Sequence, residues 1–454
     1  MILVAFALAL GAGPMQIGLL AAIPLMMQAV QLPGIALVER LRQRRKIAVV
    51  VITLARLVIL ALALLPFVAD LPNRLAWLIA AQFVISALGS LGACAVNSWL
   101  HQLIPRTGLG DFFAKRLFWG TAFACAGTLA AGLLVDHPAF RGSLAAYGWA
   151  FAAAGAAGLI SSYYLARAPE PMMVPVEHGT AMWLRLRAPF RDRNFRSLLV
   201  FLGAWTVASN MAAPFLTVYL IRQLGYPLST VTSLWVTSQV ANALTLYLWG
   251  RLSDRLSNKA ILAVALPVYF VCTLGLVFTD IRDHALLKLG LLYVLHVAMG
   301  AATGGIGLAT GNLGLKLAPQ GEGTAYLAVI GLVSALCGGV APLVAGWIAD
   351  WFETRELSMV VRWVSPARTG EVSVFAFAHW EFLFAISALL GLYVMHALSR
   401  IREGDEISER RVIQEFGIEA LRTVNHLSSI GGLLGLVFPF TRVRERRRSV
   451  REKP

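Results

Sequence analysis

The chain has 454 residues, of which 58% are hydrophobic and only 14% charged, against about 25% charged in an ordinary soluble domain. So little charge cannot keep a water-soluble fold of this size dissolved. The net charge of +15 sits in short loops and in the C-terminal tail rather than on one soluble face, which argues against nucleic-acid binding.

Apolar runs bounded by charges or turn residues fall at 1–10, 15–38, 47–69, 74–103, 116–135, 143–166, 196–221, 228–250, 260–279, 286–317, 324–350 and 376–399. Most reach the roughly 20 residues that a helix needs to cross a ~30 Å hydrocarbon core. They lack the alternating pattern of a membrane barrel, so the expected fold is all-α with twelve spans. A polar stretch rich in proline and arginine, Arg167 to Arg196, separates the sixth run from the seventh and reads as a connector. A second long loop is expected at 351–375. The four cysteines (Cys94, Cys125, Cys272, Cys337) fall inside apolar runs without metal-ligand spacing, and neither a metal nor a cofactor is expected.

Lysine and arginine divide unevenly among the connections. One alternate set, with the tail, carries about 30 and the other about 8; with the tail set aside the ratio is still about 18 to 8. The basic side is the expected cytoplasmic side, which places the connector and the C-terminus there. Arginine outnumbers lysine, a hint of a GC-rich bacterial genome, so the expected location is a bacterial inner membrane.

The chain repeats itself at an offset of 214 to 215 positions. Leu10-Gly11 matches Leu224-Gly225, and Glu39-Arg40-Leu41 matches Asp254-Arg255-Leu256. Gly92, Asn97, His101 and Pro105 match Gly307, Asn312, Lys316 and Pro319. Two copies of one six-helix unit place a site between the repeats near the bilayer midplane. The expected units are 1–166 and 196–400, joined by 167–195 and followed by a basic tail, 401–454. By the same register the opening helix is short by roughly 19 residues, a stub of about 15 Å that cannot cross. A start upstream of Met1 is expected from this, with a genuine eleven-span chain as the alternative.

Gly250-Arg-Leu-Ser-Asp254-Arg255-Leu-Ser-Asn-Lys259 resembles the signature loop of the major facilitator superfamily, G-x-L-[AS]-D-[RK]-x-G-[RK]-[RK], at the place between helices where that family has it. Ser257 and Asn258 depart from the pattern. The first-half copy at Glu39 and Arg40 departs further, with Ile35 in the glycine position. The resemblance implies a transporter built of two pseudo-symmetric six-helix bundles. It also implies a gating role for Glu39, Arg40, Gly250, Asp254, Arg255 and Lys259. A stop-transfer charge cluster is the competing reading.

Polar side chains inside spans are costly and therefore informative. Gln28 and Asn242 are repeat mates, as are Asn97 and Asn312. Gln239 lies one turn from Asn242, Trp205 and Asn210 sit in the seventh run, and His296 lies half-way along the tenth. Together they are candidates to line a cavity for a small polar solute, against the alternative that they only bond across helix interfaces. Arg56, well inside the third run, and His296 are candidates for energy coupling, with the proton as candidate ion. Asp136 and Glu381 lie near span ends and fit capping or interface roles. In the tail, 401–424 has amphipathic spacing, and a short apolar stretch at 431–440 precedes an arginine cluster suited to anionic lipid. The expected function is secondary transport of a small solute by a monomer, with no enzymatic activity. The alternative is a transport-inactive scaffold or sensor of the same fold.

Overall fold

The computed structural model describes residues 1–68, 71–104, 109–140, 142–172, 182–253, 257–279, 285–319, 323–365, 368–404 and 414. The apolar runs are helices. After a short α1 (Ile2–Ala9) come α2 (Pro14–Leu41), α3 (Arg44–Leu64), α4 (Arg74–Leu103), α5 (Leu109–Asp136) and α6 (Ala145–Arg167). The connector contains α7 (Met182–Arg191), which loop-like composition did not suggest. The second set is α8 (Arg193–Gln223), α9 (Leu228–Ser253), α10 (Asn258–Thr279), α11 (Ala285–Leu317), α12 (Gly323–Phe352) and α13 (Glu381–Ser399). Ten of these helices are long and apolar enough to cross a membrane. The 26-residue α9 has comparable length but is richer in Ser, Thr, Asn and Gln. Side chains such as Phe123 and Val271 stand about 70% exposed on helix surfaces, which water would penalise and lipid does not.

Local features follow from the sequence. Within α2 the α-helix gives way to a 3-10 turn at Met27–Val30. Pro33 explains it: its ring removes one amide and crowds the carbonyl four residues earlier, at Ala29. Asp192 ends the connector by accepting from the Asn194 and Phe195 amides at the start of α8. Ser257 does the same for α10 through the Ala260 amide. The repeat mates Gly11 (φ +85°) and Gly225 (φ +69°) both take left-handed backbone where the first helix of each half turns into the second.

The loop expected at 351–375 is instead an antiparallel hairpin, β1 (Glu356–Ser365) paired with β2 (Arg368–Ala378), with a bulge between Met359 and Val360. The last helix accordingly begins at Glu381 rather than at 376. The stretch Val372-Ser-Val-Phe-Ala-Phe377 alternates and is rich in β-branched and aromatic residues. A hydropathy window blurs a period-two strand into the apolar helix that follows.

The buried core shows how the two halves meet. At the end of the bundle remote from the signature loops, one cluster runs without a break through both halves, from Phe6, Leu62 and Phe151 to Phe215, Leu276, Ala345 and Trp380. At the basic end it splits. Val38, Ala48, Ala95 and Trp99 form a small cluster in the first half, and Phe195, Trp249, Leu266, Leu313 and Ile401 belong to a separate one in the second. The buried clusters are thus shared by the halves at one end and separate at the other, the basic one.

Candidate functional site

The closed end is held by close backbone approach and by two carboxylates. A Cβ on Gly18 of α2 would strike the Pro342 carbonyl of α12, and one on Gly346 would come within 2.9 Å of the Pro14 carbonyl. Only glycine lets these helices touch. Beside them, Asp136 at the end of α5 accepts from the Leu228 and Ser229 amides (3.3 and 2.5 Å), the first turn of α9 in the other half. Asp350 near the end of α12 faces the Met15 amide, in the first turn of α2. Asp136 and Asp350 are 214 positions apart, as are Met15 and Ser229. The seam is thus closed by one contact made twice: each half caps the second helix of the other with an acid, satisfying orphan amides and the positive end of the helix dipole. Arg222 adds a third link, donating to the Ala12 carbonyl at 3.0 Å. Glu381 is buried and accepts from Gln223 Nε2 and the Ala378 amide.

The basic end carries a second repeated device. The chain leaving α6 places Glu170 on the Arg45 amide, the first turn of α3, at 3.1 Å. It is pinned there by buried Arg44, which donates to the carbonyls of Ser98 and Pro171 and to Gln102 Oε1, and by Trp99 donating to the Pro169 carbonyl. The chain leaving α13 places Glu403 on the Asn258 and Lys259 amides of α10 (3.1 and 2.7 Å). Glu403 also accepts from Asn258 Nδ2 and pairs with Lys316 Nζ at 3.2 Å. Burial pushes the Glu403 carboxyl up, but the hydrogen bonds from Lys259, Asn258 and Lys316 outweigh it and hold the group below the usual carboxylate range. Both acids follow the same pattern, Arg167-x-x-Glu170 and Arg400-x-x-Glu403.

Against this frame the sequence candidates fall into three groups. Gln28 and Asn97 are exposed and Gln239 is half-buried, and none makes a side-chain hydrogen bond to a described residue. Asn210 donates to the Thr206 carbonyl of its own helix, and these two side chains flank Gly338 beside Leu25, where α2, α8 and α12 converge. A second group is engaged between or along helices. Asn242 donates to Thr303 across α9 and α11, Trp205 packs edge-on against Tyr269 and Phe270, and buried His296 donates from Nδ1 to the Leu292 carbonyl. Arg56 lies with its stem against Gly158 of α6, its Nε buried without a partner.

The third group is at the signature loop. Asn312 donates to Ser253 and to Asn258 Oδ1, tying α11 to the loop rather than facing a cavity, and Lys259 Nζ reaches the Ser399 carbonyl. Gly250 has open space where a Cβ would stand, Glu39 is half-buried and Arg40 exposed. Asp254 and Arg255 lie outside the described residues, as does almost all of the tail beyond 404. The sequence reading missed Glu170, Glu403, Arg44 and Asp350. The repeated Arg-x-x-Glu and the 214-residue offset of Asp350 from Asp136 were the signals available for three of them. Among the described residues no group of His, Cys, Asp and Glu is arranged to hold a metal ion.

Residues 1–342 match the Major Facilitator Superfamily, which is most of the chain. It belongs to that superfamily. The fold agrees. The nucleoside transporter NupG superposes with a TM-score of 0.62 at 12% identity, covering 87% of this chain and 92% of that one. The xylose transporter XylE from E. coli, in its inward-open conformation, gives 0.61 at 13% identity over 91% and 95%. A bacterial homologue of the iron transporter ferroportin, in an inward-facing state, gives 0.59 at 14% over 87% and 92%. At these identities the likeness is one of fold. No curated protein sequence matches the chain. Members of this superfamily are transporters and not enzymes, and the chain is a multi-pass membrane protein.

Proposed function

We propose that this chain is a secondary active transporter that carries a small polar solute across a bacterial inner membrane by alternating access, with its basic face in the cytoplasm. One observation supports this above the rest: a core continuous across both halves at one end and divided at the other. That is the geometry of a carrier resting open to one side. Gln28, Asn97, Asn210 and Gln239 are the amides proposed to meet the solute, because Asn210 stands where α2, α8 and α12 converge and the other three have unspent hydrogen-bonding capacity among the described residues. The pair Asp136 and Asp350 is proposed as the closed gate and the signature loops as the other, with Glu170 and Glu403 bracing the start of the third helix within each half beside those loops.

The test is reconstitution of the purified chain in liposomes. Solutes are first screened for thermal stabilisation, then for uptake with and without a proton gradient. Nucleosides and pentoses head the panel because of what the structural relatives above are described as carrying. Solute-dependent uptake, abolished when Gln28, Asn97 and Gln239 are all replaced by alanine, is the expected result. A chain that accumulates no solute, and whose closed end never separates, refutes the proposal and leaves the scaffold reading.

A further inference from the structure

On the first two turns of α8, Arg193, Arg196 and Val200 recur at helical spacing along one stripe; Tyr393 near the end of α13 and Arg400, which caps it in αR backbone, lie two turns apart in the same way. Between the two stripes, at the basic face and closed off by Arg402 in the chain leaving α13, lies a cleft of about 720 Å³. No carboxylate is among the described residues that line it. The guanidinium groups of Arg193, Arg196, Arg400 and Arg402 are exposed, and none makes a hydrogen bond or ion pair to any described residue. Four like charges gathered around one cleft repel one another unless an anion joins them.

The cleft is polarised along the bilayer normal. Its arginines stand at the helix ends, while Val200 and Tyr393, 45% and 51% exposed, stand seven residues deeper, about 10 Å into the membrane at 1.5 Å per residue. A free phosphate or a soluble nucleotide has no use for that exposed apolar wall. A phospholipid has: its phosphate belongs among the arginines and its acyl chains beside Val200 and Tyr393, with the Tyr393 ring at the interface depth such rings prefer. We propose that this cleft is a binding site for an anionic phospholipid of the basic-side leaflet. Because Arg402 precedes Glu403, the lipid also fastens the segment whose carboxylate caps α10, coupling leaflet composition to the gate at the signature loop.

The experiment uses the full chain in detergent. Bound lipid is read by native mass spectrometry and thermal stability by a melting assay. Phosphatidylglycerol, phosphatidylcholine and inorganic phosphate are titrated in parallel. Phosphatidylglycerol is expected to be retained and to raise the melting temperature at concentrations where the other two do neither, and to lose this advantage in high salt. The double variant Arg196→Gln/Arg400→Gln is expected to weaken retention roughly 30-fold, about fivefold per basic side chain removed. The charge-matched variant Lys115→Gln/Arg116→Gln, on the same face of the other half, is expected to keep it. Equal stabilisation by phosphatidylcholine overturns the proposal, as does equal stabilisation by inorganic phosphate. Equal losses in the two double variants also overturn it. The comparison of lipids on the unaltered chain decides the matter even if a variant fails to fold.

Discussion

Replacing Asp136 and Asp350 by asparagine tests the reading of the closed seam most directly. Asp136 accepts from two first-turn amides of a helix in the other half, and Asp350 faces one. Asparagine keeps a carbonyl acceptor and nearly the same volume, so what is lost is the charge at the helix N-terminus. Such a charge stabilises by about 0.3–1 kcal/mol when exposed and up to ~2 kcal/mol when partly buried. Asp136 is half-buried and holds two amides, so it should lie near 1 kcal/mol; Asp350 is exposed and should lie near ~0.5 kcal/mol. The sum, about 1.5 kcal/mol, shifts the ratio of closed to open seams roughly tenfold. Spin labels at Ala76→Cys and Leu286→Cys, exposed at the starts of α4 and α11 on the closed side, report the separation by pulsed electron resonance. The double variant should populate a longer distance that the parent scarcely shows, with Asp136→Asn alone giving most of the change. Identical distance distributions in parent and double variant would mean that the two acids do not hold the seam.

Four further outcomes are expected. Glu403→Gln should lower the melting temperature at pH 7, through loss of charge-assisted bonds that together contribute about 1–3 kcal/mol. Because the folded carboxyl lies below its ordinary value, the stability it adds is present above about pH 4.5 and disappears as the pH falls through the folded value, so parent and variant should converge in acid melts. Gly18→Val should fold yet abolish transport, since a branched side chain meeting the Pro342 carbonyl prevents closure; cross-linking between α2 and α12 should fall in parallel. Asn242→Ala should cost about 0.6 kcal/mol of stability, the average for a hydrogen bond between membrane helices, and much less in a Thr303→Val background, which a double-mutant cycle measures.

Much of this architecture was legible because bilayer and chain length dictate it. Runs of apolar residues can satisfy their backbone in lipid only as helices, and the 214-residue offset survives wherever geometry is strict, as at Gly11 and Gly225. The hairpin was not legible, because its alternation is shorter than the window that detects a span. The fate of each buried amide was not legible either. Asn97 and Asn312 share a register, yet Asn312 spends its donor on Ser253 and Asn258 while Asn97 remains exposed. The difference lies in the partners: α3 begins with Arg44, long enough to reach Ser98 and Gln102, whereas the equivalent Asn258 in α10 needs Asn312 as a neighbour. Asp136 was read as a capping or interface residue on its position alone. The helix it caps belongs to the other half, and no local pattern carries that information.

The two repeated devices differ in what they join, and that difference bears on how the chain could switch. Glu170 and Glu403 each act within one half, fastening the exit of the sixth helix to the start of the third, so they persist whichever way the halves tilt. Asp136 and Asp350 act between halves and must let go when the closed end opens. A rigid-body tilt therefore breaks a few hydrogen bonds at helix termini and one glycine-lined contact, and it also divides the buried cluster that the halves share at that end. Water entering the opened end re-solvates the freed amides and carboxylates, so the polar share of the cost is a few kcal/mol rather than the gross strength of the bonds. A gate of that size is one that differential binding of a small solute could bias, because a preference of about 1.4 kcal/mol for one state already moves the equilibrium tenfold.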